Sequence, residues 1–228
     1  MKSPLPFRPA GVIPACILPF HADLSIDEDS LRRHLRDLAG VDGVGAIAIN
    51  AHASEVSSCT LDEQRRVFEI ALDEVGGRVA LVHGVYAEGS LEAARIARVA
   101  TQLGASALLV FPPSCFGLGH TAEMVVTHFR HVADASDLPL IAFEYPAASG
   151  QGYGLDTLLT LFDAVPAICA IKDWCGDAQA HERNVRVLQT RDPHVAVLTA
   201  HSAWLLESLV LGCEGIVSGA GSVIADLQ

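Results

Sequence analysis

Val165-Pro166-Ala167-Ile168-Cys169-Ala170-Ile171-Lys172-Asp173 is an uncharged, largely apolar run that ends on a lysine. Its length, bounded by a proline and by charge, fits a strand buried on both faces, as in a parallel sheet. Helix-like patterns flank it, over residues 155–165 before and 177–190 after. The same order of helix, strand, helix continues in both directions. Strand-like segments fall at 11–20, 43–50, 79–83, 106–111 and 138–144, then at 195–200 and 215–218. Helical segments lie between them, over 25–40, 60–75, 90–103, 121–135 and 202–211. Their starts carry recognisable signals: Asp27 and Glu28 in a first turn, and Thr60-Leu61-Asp62-Glu63 as a Thr-x-x-Glu capping box.

Strict alternation of strand and helix predicts a parallel sheet with right-handed crossovers. Eight such units close as a (β/α)8 TIM barrel. No Gly-x-Gly-x-x-Gly opens a first helix, which counts against a doubly wound open sheet. Residues 219–228 are enough to begin an eighth helix and too few to finish it. The expectation is therefore a short extension over 1–10, then one barrel domain over 11–228, shortened after strand 8. It would lack a complete eighth helix and any later helices, leaving an apolar groove beside strands 8 and 1.

Composition narrows the class of function. The chain carries a net charge of −12, half of its residues are hydrophobic and few are aromatic. An acidic surface disfavours nucleic acid and anionic membrane as partners. No apolar run reaches the roughly 18 residues of a membrane span, and residues 1–10, with three prolines, do not read as a signal peptide. Six scattered cysteines without a Cys-x-x-Cys pair read as small buried side chains in a reducing compartment, so the cytoplasm is expected.

Barrel enzymes place their chemistry at the C-terminal ends of the strands. There the sequence puts Asn50, His52, Ser54 and Glu55, His83 and Tyr86, Phe143, Glu144 and Tyr145, Lys172 and Asp173, His201, and Ser218 with Gly219. A lysine at a strand end can snorkel to water. An inward lysine beside Ala170 instead has a desolvated amine, a nucleophile toward carbonyl carbon. His83 reads as a donor to a backbone carbonyl, Glu55 as a loop-ordering or helix-capping residue, and His128 and His131 as a solvated helix face.

The chain resembles the dihydrodipicolinate synthase and N-acetylneuraminate lyase family of Schiff-base-forming lyases. The resemblance rests on Ile13-Pro14 with Pro19-Phe20, on Glu55 followed by Thr60 to Arg65, and on Gly84 and Pro112-Pro113. It continues through Pro146 and Gly150, Ile171-Lys172, and Gly215-Ile216-Val217-Ser218. It implies that Lys172 forms the Schiff base with a 2-oxo acid, without metal or organic cofactor, in a homotetramer or homodimer. Departures are as telling. The family's Gly-Thr-Thr-Gly-Glu stands here as Ala51-His52-Ala53-Ser54-Glu55, and its Tyr-Asn-x-Pro as Phe143-Glu144-Tyr145-Pro146. The usual tyrosine and threonine proton relay is gone, which argues against dihydrodipicolinate synthesis and is similar to the divergent 2-keto-3-deoxy sugar acid dehydratases.

The implied chemistry is aldol cleavage or condensation of pyruvate type, or dehydration of a 2-keto-3-deoxy sugar acid. His52 and Tyr145 are the expected proton carriers. Ala53 and Ser54 are expected to hold the substrate carboxylate through backbone N–H groups, with Phe143, Glu144, Ser218 and Gly219 lining the site. Two other classes stay open on residues alone. One is a metal-dependent barrel hydrolase or lyase using His21, His52, His83, His201 and Asp173. The other is an inactive paralogue that binds a 2-oxo acid.

Overall fold

The computed structural model describes residues 6–228. Half of the expected extension, 1–5, lies outside the described residues; of the rest, Phe7 packs against the inner cluster of the barrel. Strands and helices alternate as β1 (Gly11–Pro14), α1 (Glu28–Leu38), β2 (Ala46–Ile49), α2 (Leu61–Val75), β3 (Ala80–Val85) and α3 (Ser90–Leu103). There follow β4 (Ala107–Val110), α4 (Ala122–Ala133), β5 (Leu140–Glu144), α5 (Leu155–Ala164), β6 (Ile168–Asp173) and α6 (Ala178–Leu188). The order ends with β7 (Ala196–Thr199), α7 (Leu205–Val210), β8 (Gly215–Ser218) and α8 (Gly221–Ile224).

All eight strands are parallel and pair in the order β1-β8-β7-β6-β5-β4-β3-β2. Between β1 and β2 the ladder thins to parallel bridges at Val12–Val44 and Ala15–Ala48. Bonds such as Gly45 N–H to the Val12 carbonyl, 2.9 Å, carry the closure. The result is the (β/α)8 barrel read from the alternation.

Two apolar layers follow from the period of two along each strand. Ala46, Ala48, Val82, Leu109, Ile141, Phe143, Ala170 and Leu198 fill the barrel interior. Ile47, Leu81, Leu108, Leu140, Ile171 and Val197 face outward and pack under helix residues such as Leu35, Phe68, Phe129 and Leu161. One glycine is dictated by crowding: a Cβ on Gly84 would sit 2.0 Å from the Asn50 carbonyl oxygen, so only glycine fits where β3 passes the end of β2.

Local chemistry sets the element ends. Thr60 Oγ1 accepts from the Glu63 amide, and the Glu63 carboxylate accepts from the Thr60 amide at 2.7 Å, so the capping box is complete. Glu55 plays no part in that cap; it is an exposed residue at φ 52 between two 3-10 turns. β1 is shorter than expected: the regular strand ends at Pro14, and Ala15 and Cys16 add only single bonds to the neighbouring strands. β3 runs two residues further, to Val85. His128 is not on a solvated face: it is buried, with Nδ1 3.0 Å from Ser90 Oγ, because α4 turns that side toward α3. His131 is exposed as expected. Of the cysteines, all free, Cys16, Cys175 and Cys213 are buried, while Cys115 is exposed and Cys59 and Cys169 are half-buried.

After β8 the chain makes one helical turn, α8, and a 3-10 turn over Ala225–Leu227. Leu206, Val210, Val223 and Leu227 are exposed there. No helix among the described residues is long and apolar enough to cross a membrane.

Candidate active site

Lys172 is the next-to-last residue of β6 and pairs in register with Phe143 of β5. Alternation turns Ala170 and Lys172 into the barrel and Ile171 and Asp173 away from it. The amine lies 3.9 Å from the centroid of the Phe143 ring, and the residue is 6% exposed. No charged partner meets it among the described residues, and burial brings its pKa down to about 7. The amine is thus available as a neutral nucleophile near neutral pH.

Further aromatic rings extend from Phe143. Phe143 touches Phe111 at 5.1 Å between centroids, Tyr145 at 4.6 Å and Trp174 at 6.1 Å. His52 sits across the mouth, 4.9 Å from Phe111, 5.8 Å from Phe143 and 6.1 Å from Tyr86. The loop that delivers His52 begins at Asn50 and ends at Glu55, both in the left-handed region with φ 55 and 52. Such residues cost about 1 kcal/mol or more and gather at sites where a loop must turn sharply. Here the turn brings His52 Nε2 into a short hydrogen bond with the Tyr145 hydroxyl. The surrounding rings, and then the Lys172 charge, push the His52 imidazolium down to about 4. Burial, and then the neighbouring Tyr86, push the Tyr145 phenol up. At neutral pH the pair is an uncharged phenol hydrogen-bonded to an uncharged imidazole.

The other expected site residues divide sharply. Ser54 Oγ donates to the Cys16 carbonyl at 2.6 Å, and its amide donates to the Ala51 carbonyl at 3.0 Å. Both of its donors are therefore engaged. Gly219 approaches Ala53 across the mouth, since a Cβ there would lie 3.9 Å from the Ala53 Cβ. Ser218 Oγ is committed to Ser202 Oγ, to the Gly221 amide and to Gln228 Nε2.

Glu144 is not in the mouth. It faces outward because Phe143 and Tyr145 face inward, and Asn184 Nδ2 of α6 donates to its carboxyl at 3.0 Å. The same Asn184 amide donates to Asp173 at 3.1 Å, and His181 Nδ1 lies 3.0 Å from the same Asp173 oxygen. Burial, then Asp173, raise the Glu144 pKa to about 9, so its carboxyl is neutral at pH 7. Burial opposes both charges of the Asp173–His181 pair, but their mutual bond together with Cys175 at Asp173 and Cys213 at His181 outweighs it: Asp173 is held low and His181 is raised to about 9.

His83 also faces outward. Its Nδ1 lies 2.7 Å from the Gly84 carbonyl, as expected of a strand-end histidine, and its ring packs on Phe68. Of the five residues of the metal hypothesis, Asp173 and His201 come together and the others do not join them. Among the described residues a different set comes together: Asp173, Cys175 and His201, with ligand atoms within 4.8 Å of one another. Asp173 is already engaged by His181, Asn184 and the Cys175 amide, and the Cys175 thiol donates to the Asp177 carbonyl. That arrangement reads as a hydrogen-bonded support for the loop after β6. Trp174 and Phe111 were not singled out from sequence; alternation beyond Leu109 places Phe111 inward, while Trp174 carries no pattern of its own.

A model of the dihydrodipicolinate synthetase family matches residues 8–228. The chain belongs to that family. An uncharacterized DapA-like lyase of Halobacterium salinarum is 32% identical over 226 residues, covering 95% of this chain and 69% of the relative. A 4-hydroxy-tetrahydrodipicolinate synthase of Methanopyrus kandleri is 31% identical over 225 residues, covering 97% of this chain and 72% of its own. Among solved structures, YagE of Escherichia coli, in complex with pyruvate, superposes with a TM-score of 0.88 at 25% identity, covering 96% of this chain and 72% of YagE. CdNal of Clostridium difficile, in complex with mannosamine, gives 0.87 at 25% identity, covering 95% and 72%. Named members of the family are thus lyases and aldolases, and the eight-stranded barrel is their shared scaffold.

Proposed function

We propose that this family member is a Schiff-base lyase acting on a 2-oxo acid, with Lys172 as the nucleophile. The observation that carries the reading is the buried, unpaired Lys172 amine on the Phe143 ring at the end of β6. Lys172 attacks the C2 carbonyl, the oxygen leaves as water, and an iminium forms. The iminium accepts the electron pair of the C3–C4 bond when a proton is taken from the C4 hydroxyl, giving an aldehyde and an enamine. Protonation at C3 and addition of water to C2 release pyruvate and the free amine. The Tyr145 hydroxyl and His52 Nε2 carry those protons in place of the absent tyrosine and threonine relay. The Ala53 amide holds the carboxylate. No metal or organic cofactor enters this scheme.

A complex of the related YagE with pyruvate supports pyruvate as the smallest ligand to try. Borohydride reduction in the presence of pyruvate, followed by intact mass and peptide mapping, tests the reading. The expected result is one stable adduct on Lys172, absent in Lys172→Ala. An intact, folded protein that yields no adduct on Lys172 would overturn it. Association into a homodimer or homotetramer, and a place in the cytoplasm, belong to the same proposal.

A further inference from the structure

The Lys172 amine lies on the Phe143 ring, and further rings continue from it. His52, Tyr86, Phe111, Phe143, Tyr145 and Trp174 form a continuous collar with every successive contact between 4.6 and 6.1 Å. Trp174, 41% exposed, closes the rim against Tyr145 at 5.5 Å. Several polar side chains at the strand ends are turned away or engaged. Glu144 and Asp173 face α6, Ser54 donates to the Cys16 carbonyl, and Ser218 is tied to Ser202 and Gln228. Pro112 and Pro113, at the top of β4, have no N–H to offer.

A polyhydroxylated chain entering this mouth would lose water and find few partners, and each unpaired hydroxyl weakens binding. An aryl group would find offset and edge-on ring faces. Resting on the Lys172 reading above, we infer that the substrate is a 2-oxo acid with an aromatic substituent at C4, of the 4-aryl-4-hydroxy-2-oxobutanoate class. Cleavage of its C3–C4 bond yields one aryl aldehyde and one pyruvate. The C4 hydroxyl proton passes to the Tyr145–His52 pair, the bond pair passes into the iminium, and water restores the pyruvate carbonyl. No oxidant or reductant is needed. Trp174 is the specificity-determining residue at the rim, because it contacts the collar and still reaches solvent.

The test compares kcat/KM for 4-hydroxy-2-oxo-4-phenylbutanoate and for 2-dehydro-3-deoxy-D-gluconate, both read as pyruvate released to lactate dehydrogenase. Pyruvate trapping on Lys172 is measured in parallel. The aryl substrate is expected to be preferred by at least about tenfold, and Trp174→Ala to reduce that preference by on the order of tenfold. A pyruvate adduct together with equal use, or preferred use, of the hydroxylated acid would overturn the substrate class and leave the Lys172 chemistry standing. A preference unmoved by Trp174→Ala in folded protein would overturn the role given to the rim. Failure of pyruvate to trap would overturn the Lys172 reading, and the substrate class with it.

Discussion

Lys172 is an expensive residue to fold around, and that expense can be measured. Its amine falls from an ordinary value of 10.5 to about 7 on burial. Between those two pH values the unfolded chain holds a proton that the folded protein does not, so this group makes stability rise with pH through the window. Below about pH 7 both states are protonated and the full cost of a buried ammonium remains. Lys172→Met is therefore expected to raise stability by about 2–4 kcal/mol near pH 6. The gain should shrink as pH approaches 10 in urea titrations. A gain that does not change with pH would mean the amine is not neutralised in the folded state. Tyr145 offers a second check: Tyr145→Phe keeps the ring contacts and removes the proton, so kcat should fall by roughly 10²–10³ while Lys172 still traps pyruvate. At this scale the sequence was informative about Lys172, because a charged side chain closing an apolar strand is unusual by itself. It was less informative about Glu144. The identity of that residue says nothing about which face it takes; only the place where β5 ends decides it.

The β5–β6–α6 unit shows how elements hold the site in register. Phe143 pairs with Lys172 and Glu144 with Asp173, and one Asn184 amide spans the two carboxyls from α6. The strand ends that set the distance between Lys172 and Phe143 are thus fixed from outside the barrel. Glu144 titrates near 9 against an ordinary 4.5, so between those values the folded protein holds a proton the unfolded chain has released. This group makes stability fall as pH rises through that window, opposite in sign to Lys172. Glu144→Gln keeps an acceptor for Asn184 and cannot ionise. The variant should unfold at a higher temperature than the parent at pH 8, with a difference that narrows toward pH 5 in calorimetry. Strand and helix order was legible in the sequence because period and caps repeat: Thr60 with Glu63 marked α2, and the 215–218 strand is β8. What was not legible was how far β3 runs. His83 resembles a polar stop, yet it lies within the strand facing Phe68, and this is why it leaves the mouth. The Asn184 clamp was equally hidden, since a helix face carries no mark of the strand ends it will meet.

For the whole molecule the barrel closes by hydrogen bonds between β1 and β2, and apolar surface remains exposed beside the last elements. A groove of about 330 Å³ runs between Leu205, Leu206, Leu209, Ile224 and Leu227, and a second of about 350 Å³ lies between Ile17, Leu38, Val41 and Val223. Leu206 is 72% exposed and Val210 80%. The first groove lies between α7 and the turns that follow β8, and the second between α1 and α8. Contiguous apolar surface of this kind drives association in water. Its energetic scale follows from area: each large side chain covered contributes about 1.5–3 kcal/mol. Replacing Leu206 and Val210 with glutamate removes two such contributions and sets like charges on any symmetric contact through α7. Sedimentation of this 228-residue chain should shift toward larger species as concentration rises, and Leu206→Glu with Val210→Glu should abolish the shift while thermal unfolding is preserved. The charges face solvent on α7, away from Lys172, so pyruvate trapping provides the control for an intact site. Association that persists unchanged in the double variant would place the self-contact on another face of the barrel.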